Sequence, residues 1–467
     1  MSAGLFVISL YLSFMLISSE TLHFIAEHIN DDVHRLALKK APAGVDLSFA
    51  LDQIQGRQTA RKKLPSWAAL DGILYPRHLS MEQCSSEVTG RYKRDIVQRM
   101  LRRSSESSCP QKDSIQRECC QNSSIPSTRG VTSMVDLTGG LGGDFSCIAP
   151  CFSQAVYVER QQELCDLARH NFPLLGLSHA EEVCGDGVDF LQSSSVSFDL
   201  IFMDPARRDS HGGRTYGLSD CTPDVLPMIP TLLEKSRFIL FKLSPMLDIT
   251  QAVSSINAAA GHSVVNSIHV VSVDNECKEL LVVLQSEGKD EPMLYCINLR
   301  SSLSLSSPAI IGGLQEQSGK DSSLFCCPWI TGSAAAPVVT DALQPGQLLF
   351  EPNASIMKAG CFGPVAATYQ LQAVSVDSHL FIADGSHTGL PGRSFVIERV
   401  SSMNRKALRS FLEGVERANV SVRHFPLSAE QLRKRLKLRD GGEYYLFATT
   451  THDSRHVLLL CKKVESL

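Results

Sequence analysis

The chain has 467 residues, of which 43% are apolar and 20% charged, with a formal net charge of −4. This is ordinary globular composition and enough length for two to four domains. A charge so near balance excludes capture of nucleic acid by a global positive field, so any such contact must use local basic patches. The 15 cysteines are odd in number and contain no Cys-x-x-Cys pair, which argues against both a disulfide framework and a zinc site.

Residues 1–19 form an apolar leader whose run Leu5–Ile17 is too short for a comfortable membrane span. No Lys or Arg precedes it, as a secretory signal would require, and a start at Met15 is the simpler expectation. Residues 20–103 read as a helical, polar region, with Leu22, Ile25, Ile29, Val33 and Leu36 near helical spacing over Glu20–Ala37. Two basic clusters lie there, Arg57 to Lys63 and Arg91-Tyr-Lys-Arg94 continuing to Arg103. Residues 104–130 are Ser-rich and have the composition of a linker.

The next stretch, Val131-Thr-Ser-Met-Val-Asp-Leu-Thr-Gly-Gly-Leu-Gly-Gly-Asp144, reads as strand, turn and helix start. Gly139, Gly140, Gly142 and Gly143 let a turn adopt φ > 0 and approach a ligand closely. Such a turn at a helix start holds a nucleotide-like cofactor against backbone N–H groups. Gln154–Glu159 is a second strand, ending in an acid placed to accept from ribose hydroxyls. Val183-Cys-Gly-Asp-Gly187 offers Asp186 to an adenine amine, and the strand from Phe198 ends in Asp204-Pro205. Later strands are expected at 238–243, 264–273 and 279–284, so 131–286 predicts a doubly wound α/β sheet of seven strands, closed by a hairpin-like pair. Ligands in such sheets lie at the carboxyl ends of the strands, where all these residues fall.

Residues 287–345, with their Ser- and Gly-rich stretches, read as an irregular connector. Residues 346–393 begin as strand and helix around Glu351-Pro-Asn-Ala-Ser355, and 394–467 read as a small α+β domain. In the latter, helices are expected at 405–418 and 428–438, with closing strands at 444–450 and 456–462. Ser428 is the expected N-cap of the second helix. Arg433, Lys434, Arg435, Lys437 and Arg439 are then displayed outward, either as a solvated face or as phosphate contacts.

The ordered set of Asp136, Glu159, Asp186 and Asp204-Pro205 resembles class I methyltransferases that use S-adenosylmethionine. Gln53–Arg57, Lys63–Trp67, Glu82–Ser86, the glycine turn, Asp204-Pro-Ala-Arg-Arg208, Glu351–Ser355 and Arg423-His-Phe-Pro-Leu-Ser428 come in an order that narrows the resemblance. They are similar to a bacterial family of such methyltransferases with a ferredoxin-like segment (here 346–393) and a C-terminal THUMP-like domain (394–467). The resemblance implies a Rossmann-like fold and S-adenosylmethionine bound by Asp136, Thr138, Gly139, Gly140, Gly142, Asp144, Glu159 and Asp186. Because THUMP domains elsewhere accompany RNA-modifying enzymes, it also implies a partner RNA, tRNA or rRNA. A cytoplasmic protein with no metal and no stable membrane association is the matching expectation.

Catalysis is expected from Asp204, Pro205 and Arg207. Asp-Pro-Pro-aromatic at this position serves enzymes that methylate planar nitrogens, but here Ala206 and Arg207 replace the third and fourth residues. Arginine can still stack on a base or pair with a phosphate. Nitrogen is the favoured target, with Asp204 orienting the amine and taking its proton. Arg208, Lys242, Arg433, Lys434 and Arg435 are the candidate substrate contacts, Lys242 either on phosphate or capping a strand. Asp-Pro-x-Arg also resembles uridine carbon-5 methyltransferases, but the required cysteine is missing from the loop Phe241–Pro245. The alternatives are methylation of a protein or small molecule, or binding of S-adenosylmethionine or RNA without catalysis.

Overall fold

The computed structural model describes residues 17–106, 132–207, 217–302, 322–330, 336–340, 342–383 and 389–464. The apolar leader up to residue 16, most of the Ser-rich 104–130 segment, and Arg208 lie outside them.

The central element is a mixed sheet of nine strands: β1 Ser133–Asp136, β2 Gln154–Glu159, β3 Ala180–Cys184, β4 Phe198–Met203, β5 Ser236–Leu243, β6 Val265–Val273, β7 Glu276–Leu284, β8 Met293–Leu299 and β9 Ser322–Pro328. Their order is β9-β8-β6-β7-β5-β4-β1-β2-β3. Strands β3 to β5 pair in parallel, and β7 runs antiparallel between β5 and β6. Runs such as Phe198-Asp-Leu-Ile-Phe-Met203 are almost continuously apolar because both sheet faces are covered.

The seven expected strands are therefore flanked by two more. Strands β8 and β9 lie in 287–345, where the composition suggests an irregular connector, and β8 adds in parallel to β6. The apolar residues of β8, Leu294, Cys296, Ile297 and Leu299, are fully buried. The polar Ser and Gly stretches around these strands hide them in the composition.

The helical N-terminal region packs on this sheet. Its first helix is not continuous over 20–37: Ser19–His28 ends, and Asp32 caps a new helix, Val33–Ala37, accepting from the N–H groups of His34 and Arg35. Helix α1, Leu47–Lys63, and helix α2, Glu87–Glu106, are the two long helices that follow, with short helices at Pro65–Ala68 and His78–Gln83 between them. The motifs of this region are fasteners. Gln53 donates to Tyr75 O and accepts from Tyr75 N, both at 2.9 Å. A Cβ at Gly56 would lie 2.3 Å from Tyr75 Cβ, so the position must be bare. Arg57 donates to Ala68 O and pairs with Asp71, while Lys63 donates to Met81 O. Trp67 is buried, with its indole N–H 3.3 Å from Ser146 Oγ behind the glycine turn. The basic cluster 57–63 thus stitches helices together.

The C-terminal part folds around a second, seven-stranded sheet. Its strands are β10 Leu348–Pro352, β11 Gln372–Ala373, β12 Phe381–Ala383, β13 Gly392–Ser402, β14 Asn419–Arg423, β15 Tyr444–Thr450 and β16 His456–Lys463, in the order β11-β12-β10-β13-β16-β15-β14. Strands on either side of residue 393 share this one sheet, because β10 pairs with β13. Glu351, on β10, is buried and holds two arginines: Arg393 on β13 through Nε at 2.9 Å, and Arg423 on β14 through Nη2 at 2.8 Å.

The two sheets are joined through Glu351-Pro-Asn-Ala-Ser355. Asn353 caps the helix Ala354–Ala359 and donates to Ser323 Oγ on β9. Ala354 N donates to Asn275 Oδ1 in the turn between β6 and β7, at 2.8 Å. Two expected helices are shorter than the sequence suggests. Arg405–Phe411 stops before Gly414, which has φ +76°, and Ala429–Leu436 stops where Lys437 turns left-handed at φ +58°.

Candidate active site

Strand β1 delivers Asp136 to its carboxyl end, where the side chain is buried and accepts from Thr138 N at 2.9 Å. Burial pushes the Asp136 carboxyl up to about 8. The glycine turn follows, and its glycines answer to different demands. A Cβ at Gly139 would meet the Tyr157 ring at 2.2 Å, and one at Gly142 the Phe172 ring at 2.8 Å. Both are required by internal packing. Gly140 differs: its φ is +55°, yet a Cβ there would have Thr138 O at 3.8 Å as its nearest neighbour. The turn is open at that point, and this is where a ligand can lie against the backbone.

Glu159, at the end of β2, is buried and accepts from Gly140 N and from Gln161 N, each at 2.8 Å. The carboxylate is thereby fixed beside the open glycine, in the place suited to a diol. Tyr157 donates its hydroxyl to Gly140 O, bracing the same residue from below. Asp186, after β3, is the N-cap of the helix Gly187–Ser193, accepting from Val188 N at 2.8 Å and Asp189 N at 3.3 Å. Its expected contact with an adenine amine has to share a carboxylate already engaged in capping.

Two of the expected site residues have partners within the protein. The resemblance puts Asp144 on the cofactor, but Ser85 donates to its Oδ2 at 2.7 Å and Lys93 to its Oδ1 at 2.8 Å. The sequence leaves Lys242 either on substrate phosphate or capping a strand; its ammonium pairs with Asp204 Oδ2 and lies 3.6 Å from Asp144 Oδ2. Lys93 is fully buried, and its Nζ also lies 2.5 Å from Glu279 Oε2, an ion contact outside hydrogen-bond angles. The result is a chain of charges, Glu279–Lys93–Asp144–Lys242–Asp204, drawn from α2, the helix Gly143–Ile148, strand β7, and the carboxyl ends of β5 and β4. It runs from the core to the surface, since the Asp204 side chain is 38% exposed.

Burial disfavours the charged forms of Lys93, Asp144 and Lys242, and their partners more than offset it. Burial pulls the Lys93 ammonium down, but Asp144 and Glu279 leave it raised. Asp144, which burial alone would push up, is held low by Lys93 and Lys242. Lys242 is raised against its burial by Asp204 and Asp144, so it stays an ammonium. Charges held this way are costly to build and costly to break one at a time.

Asp204 N donates to Thr138 Oγ1 at 2.7 Å, which ties the Asp-Pro strand end to the glycine turn. The next residues, Ala206 and Arg207, pair antiparallel with Cys221–Thr222 in a short ribbon. Cys221 stands opposite Arg207 in that ribbon and is buried. On the C-terminal sheet the Ser428 cap forms its reciprocal pair with Gln431, and Leu432 and Leu436 face inward. Arg433 pairs with Asp440 at 2.8 Å and Lys434 with Glu430 at 2.9 Å, both on the surface. A separate cavity of about 310 Å³ lies at the start of β5, lined by Arg237, Phe238, His269 and Lys289 among others, at the opposite end from the glycine turn.

Sequence reasoning missed Lys93 and Glu279. A signal for the first was present: Lys93 lies three residues before Ile96 and four before Val97, on the buried face of α2.

The sheet order, the glycine turn and the acids at the strand ends define a class I methyltransferase fold. Two family models match the C-terminal part: one described as a ferredoxin-like domain at residues 348–391, and one described as THUMP domain-like at 392–463. A solved protein of Porphyromonas gingivalis W83, provisionally named a methyltransferase, is 29% identical with a TM-score of 0.72, covering 95% of this chain and 97% of that one. A SAM-dependent methyltransferase from Agrobacterium tumefaciens is 18% identical over 34% of this chain and 57% of its own, with a TM-score of 0.26, too distant to add to the reading. No curated protein matches the chain. Among the described residues, no helix is long and apolar enough to cross a membrane, and no cluster of metal-ligating side chains is present.

Proposed function

We propose that this chain is an S-adenosylmethionine-dependent methyltransferase acting on RNA. The observation that carries the reading is the meeting of Gly140, Glu159 and the Asp204–Lys242 pair at the carboxyl ends of neighbouring strands. Gly140 leaves room for the donor, and Glu159 is fixed beside it to accept from the ribose hydroxyls. Asp204 and Lys242 stand at the next two strand ends, tied to the turn through Thr138. S-adenosylmethionine, when bound there, supplies a methyl group on a sulfonium; the protein's part is to align an acceptor with it and to handle the acceptor's proton. The similarity to the Porphyromonas gingivalis protein supports the methyltransferase class. The THUMP domain-like region supports RNA as the partner.

The reading is tested by calorimetry with S-adenosylmethionine on wild type and on Gly140→Val, together with transfer of labelled methyl to total RNA. A β-branched residue at φ +55° is strained by about 1–2 kcal/mol and fills the open side of the turn. Loss of donor binding in a variant that still melts cooperatively is the expected result. Unchanged affinity would remove the basis of the donor assignment.

A further inference from the structure

On the reading that this site methylates RNA, we infer that the methyl acceptor is a hydroxyl, the ribose 2′-OH, and that Asp204 and Lys242 are the groups that act on it. The proton accounting of the two acceptor types differs. A base nitrogen brings its own lone pair and asks chiefly for a surface that holds a planar ring. A ribose hydroxyl is a poor nucleophile until its proton is taken, and the developing alkoxide asks for a fixed positive charge.

The site offers the second set of tools. The residues after Asp204-Pro205 are Ala206 and Arg207, so the motif position at which base-nitrogen enzymes carry an aromatic residue carries an arginine. A carboxylate and an ammonium are held together at the ends of β4 and β5. Of the five linked charges, Asp204 is the most exposed, with Lys242 just behind it at 15%. The other three are almost wholly buried and serve to hold Lys242: Asp144 on its second side, Lys93 and Ser85 on Asp144, Glu279 on Lys93. An ammonium anchored this way cannot swing away to follow a phosphate, and its partners keep it protonated. Lys93, Asp144 and Glu279 are positioning residues for that charge.

The step balances with the donor as sole co-reactant. Lys242 occupies Asp204 Oδ2, and Oδ1 receives the hydroxyl proton. The freed oxygen pair forms the O–CH₃ bond as the S–CH₃ bond breaks and its electrons stay on sulfur. Lys242 sits beside the oxygen as negative charge develops. The products are a ribose methyl ether, the neutral thioether and one proton, which Asp204 passes to water.

The full chain is incubated with methyl-labelled S-adenosylmethionine and total cellular RNA, and the RNA is then hydrolysed in alkali. A 2′-O-methyl group blocks cleavage of the adjacent phosphodiester, so label is expected in alkali-resistant dinucleotides. Label in mononucleotides would overturn the hydroxyl assignment while leaving an RNA methyltransferase. Absence of label from RNA would overturn the RNA reading, and this inference with it. Asp204→Asn and Lys242→Met should each slow transfer by about 10²–10³-fold, the usual scale for removing a base or an oxyanion partner. Lys242→Arg should recover part of the loss. S-adenosylmethionine affinity by calorimetry should stay near wild type in all three, which separates the chemistry from folding. Full transfer rates in Asp204→Asn and Lys242→Met would also overturn the assignment.

Discussion

The chain uses lysine and arginine in two opposite ways. At the class I sheet, Lys93 and Lys242 are taken out of water and locked between Glu279, Asp144 and Asp204. On the helix Ala429–Leu436, Arg433 and Lys434 pair with Asp440 and Glu430 while remaining in solvent. Exposed pairs of the second kind are worth at most about 1 kcal/mol and are screened by salt. Buried ions of the first kind are costly alone and cooperative together, so they fix geometry. Residue type alone therefore says little about what a basic residue does; the face of the element that carries it decides.

Replacement of Lys93 by Met sharpens this contrast most. It leaves Asp144 and Glu279 buried without their shared cation and should cost about 3–5 kcal/mol by denaturant unfolding. A loss under about 1 kcal/mol, the surface scale, would break the comparison.

Asp136 gives the carboxyl end of the parallel strands a pH signature. Its carboxyl is raised from the ordinary 3.8 to about 8, so between those values the folded protein binds more protons than the unfolded chain. Stability should therefore fall as pH rises from about 4 to about 8. In Asp136→Asn that slope should flatten, measured as Tm against pH; an unchanged slope would assign it to other groups.

Glu351 is the intermediate case, a buried carboxylate with two half-exposed arginines. Glu351→Gln should destabilise the C-terminal sheet by about 2 kcal/mol, the range for hydrogen bonds to charged groups. Proteolysis of the C-terminal part should accelerate accordingly, and resistance equal to wild type would place Glu351 with the surface pairs.

The smallest effect on stability belongs to the triple neutralisation of Arg433, Lys434 and Arg435, within about 0.5 kcal/mol. Its effect should show instead in RNA affinity, with the slope of log affinity against log salt falling by roughly 0.7–0.9 for each phosphate that is no longer neutralised. An identical salt profile would mark the helix as a solvated face.

What was legible in the sequence was local. The glycine turn, Glu159, Asp186 and Asp204-Pro205 lie at strand ends because a parallel sheet puts them there, and the apolar runs announce the strands. The fates of Lys93, Lys242 and Glu279 were not legible, because their partners come from distant segments. The run Arg91-Tyr-Lys-Arg94 reads as one basic patch, yet Tyr92 and Lys93 turn inward, Tyr92 to within 2.9 Å of His269 Nδ1. Strands β8 and β9 were hidden for a different reason: their flanks carry linker composition, and composition describes a neighbourhood rather than a strand.

The contact between Lys93 and Glu279 also bears on how the chain comes into being. During synthesis the lysine leaves the ribosome long before the glutamate, and at roughly 5–20 residues per second it waits on the order of ten to forty seconds for its partner. Through that interval α2 has a cation on its inward face with Asp144 as its one carboxylate partner. A nascent or truncated chain ending before Glu279 therefore holds Lys93 by Asp144 alone, and the row of charges closes only when the sheet is complete.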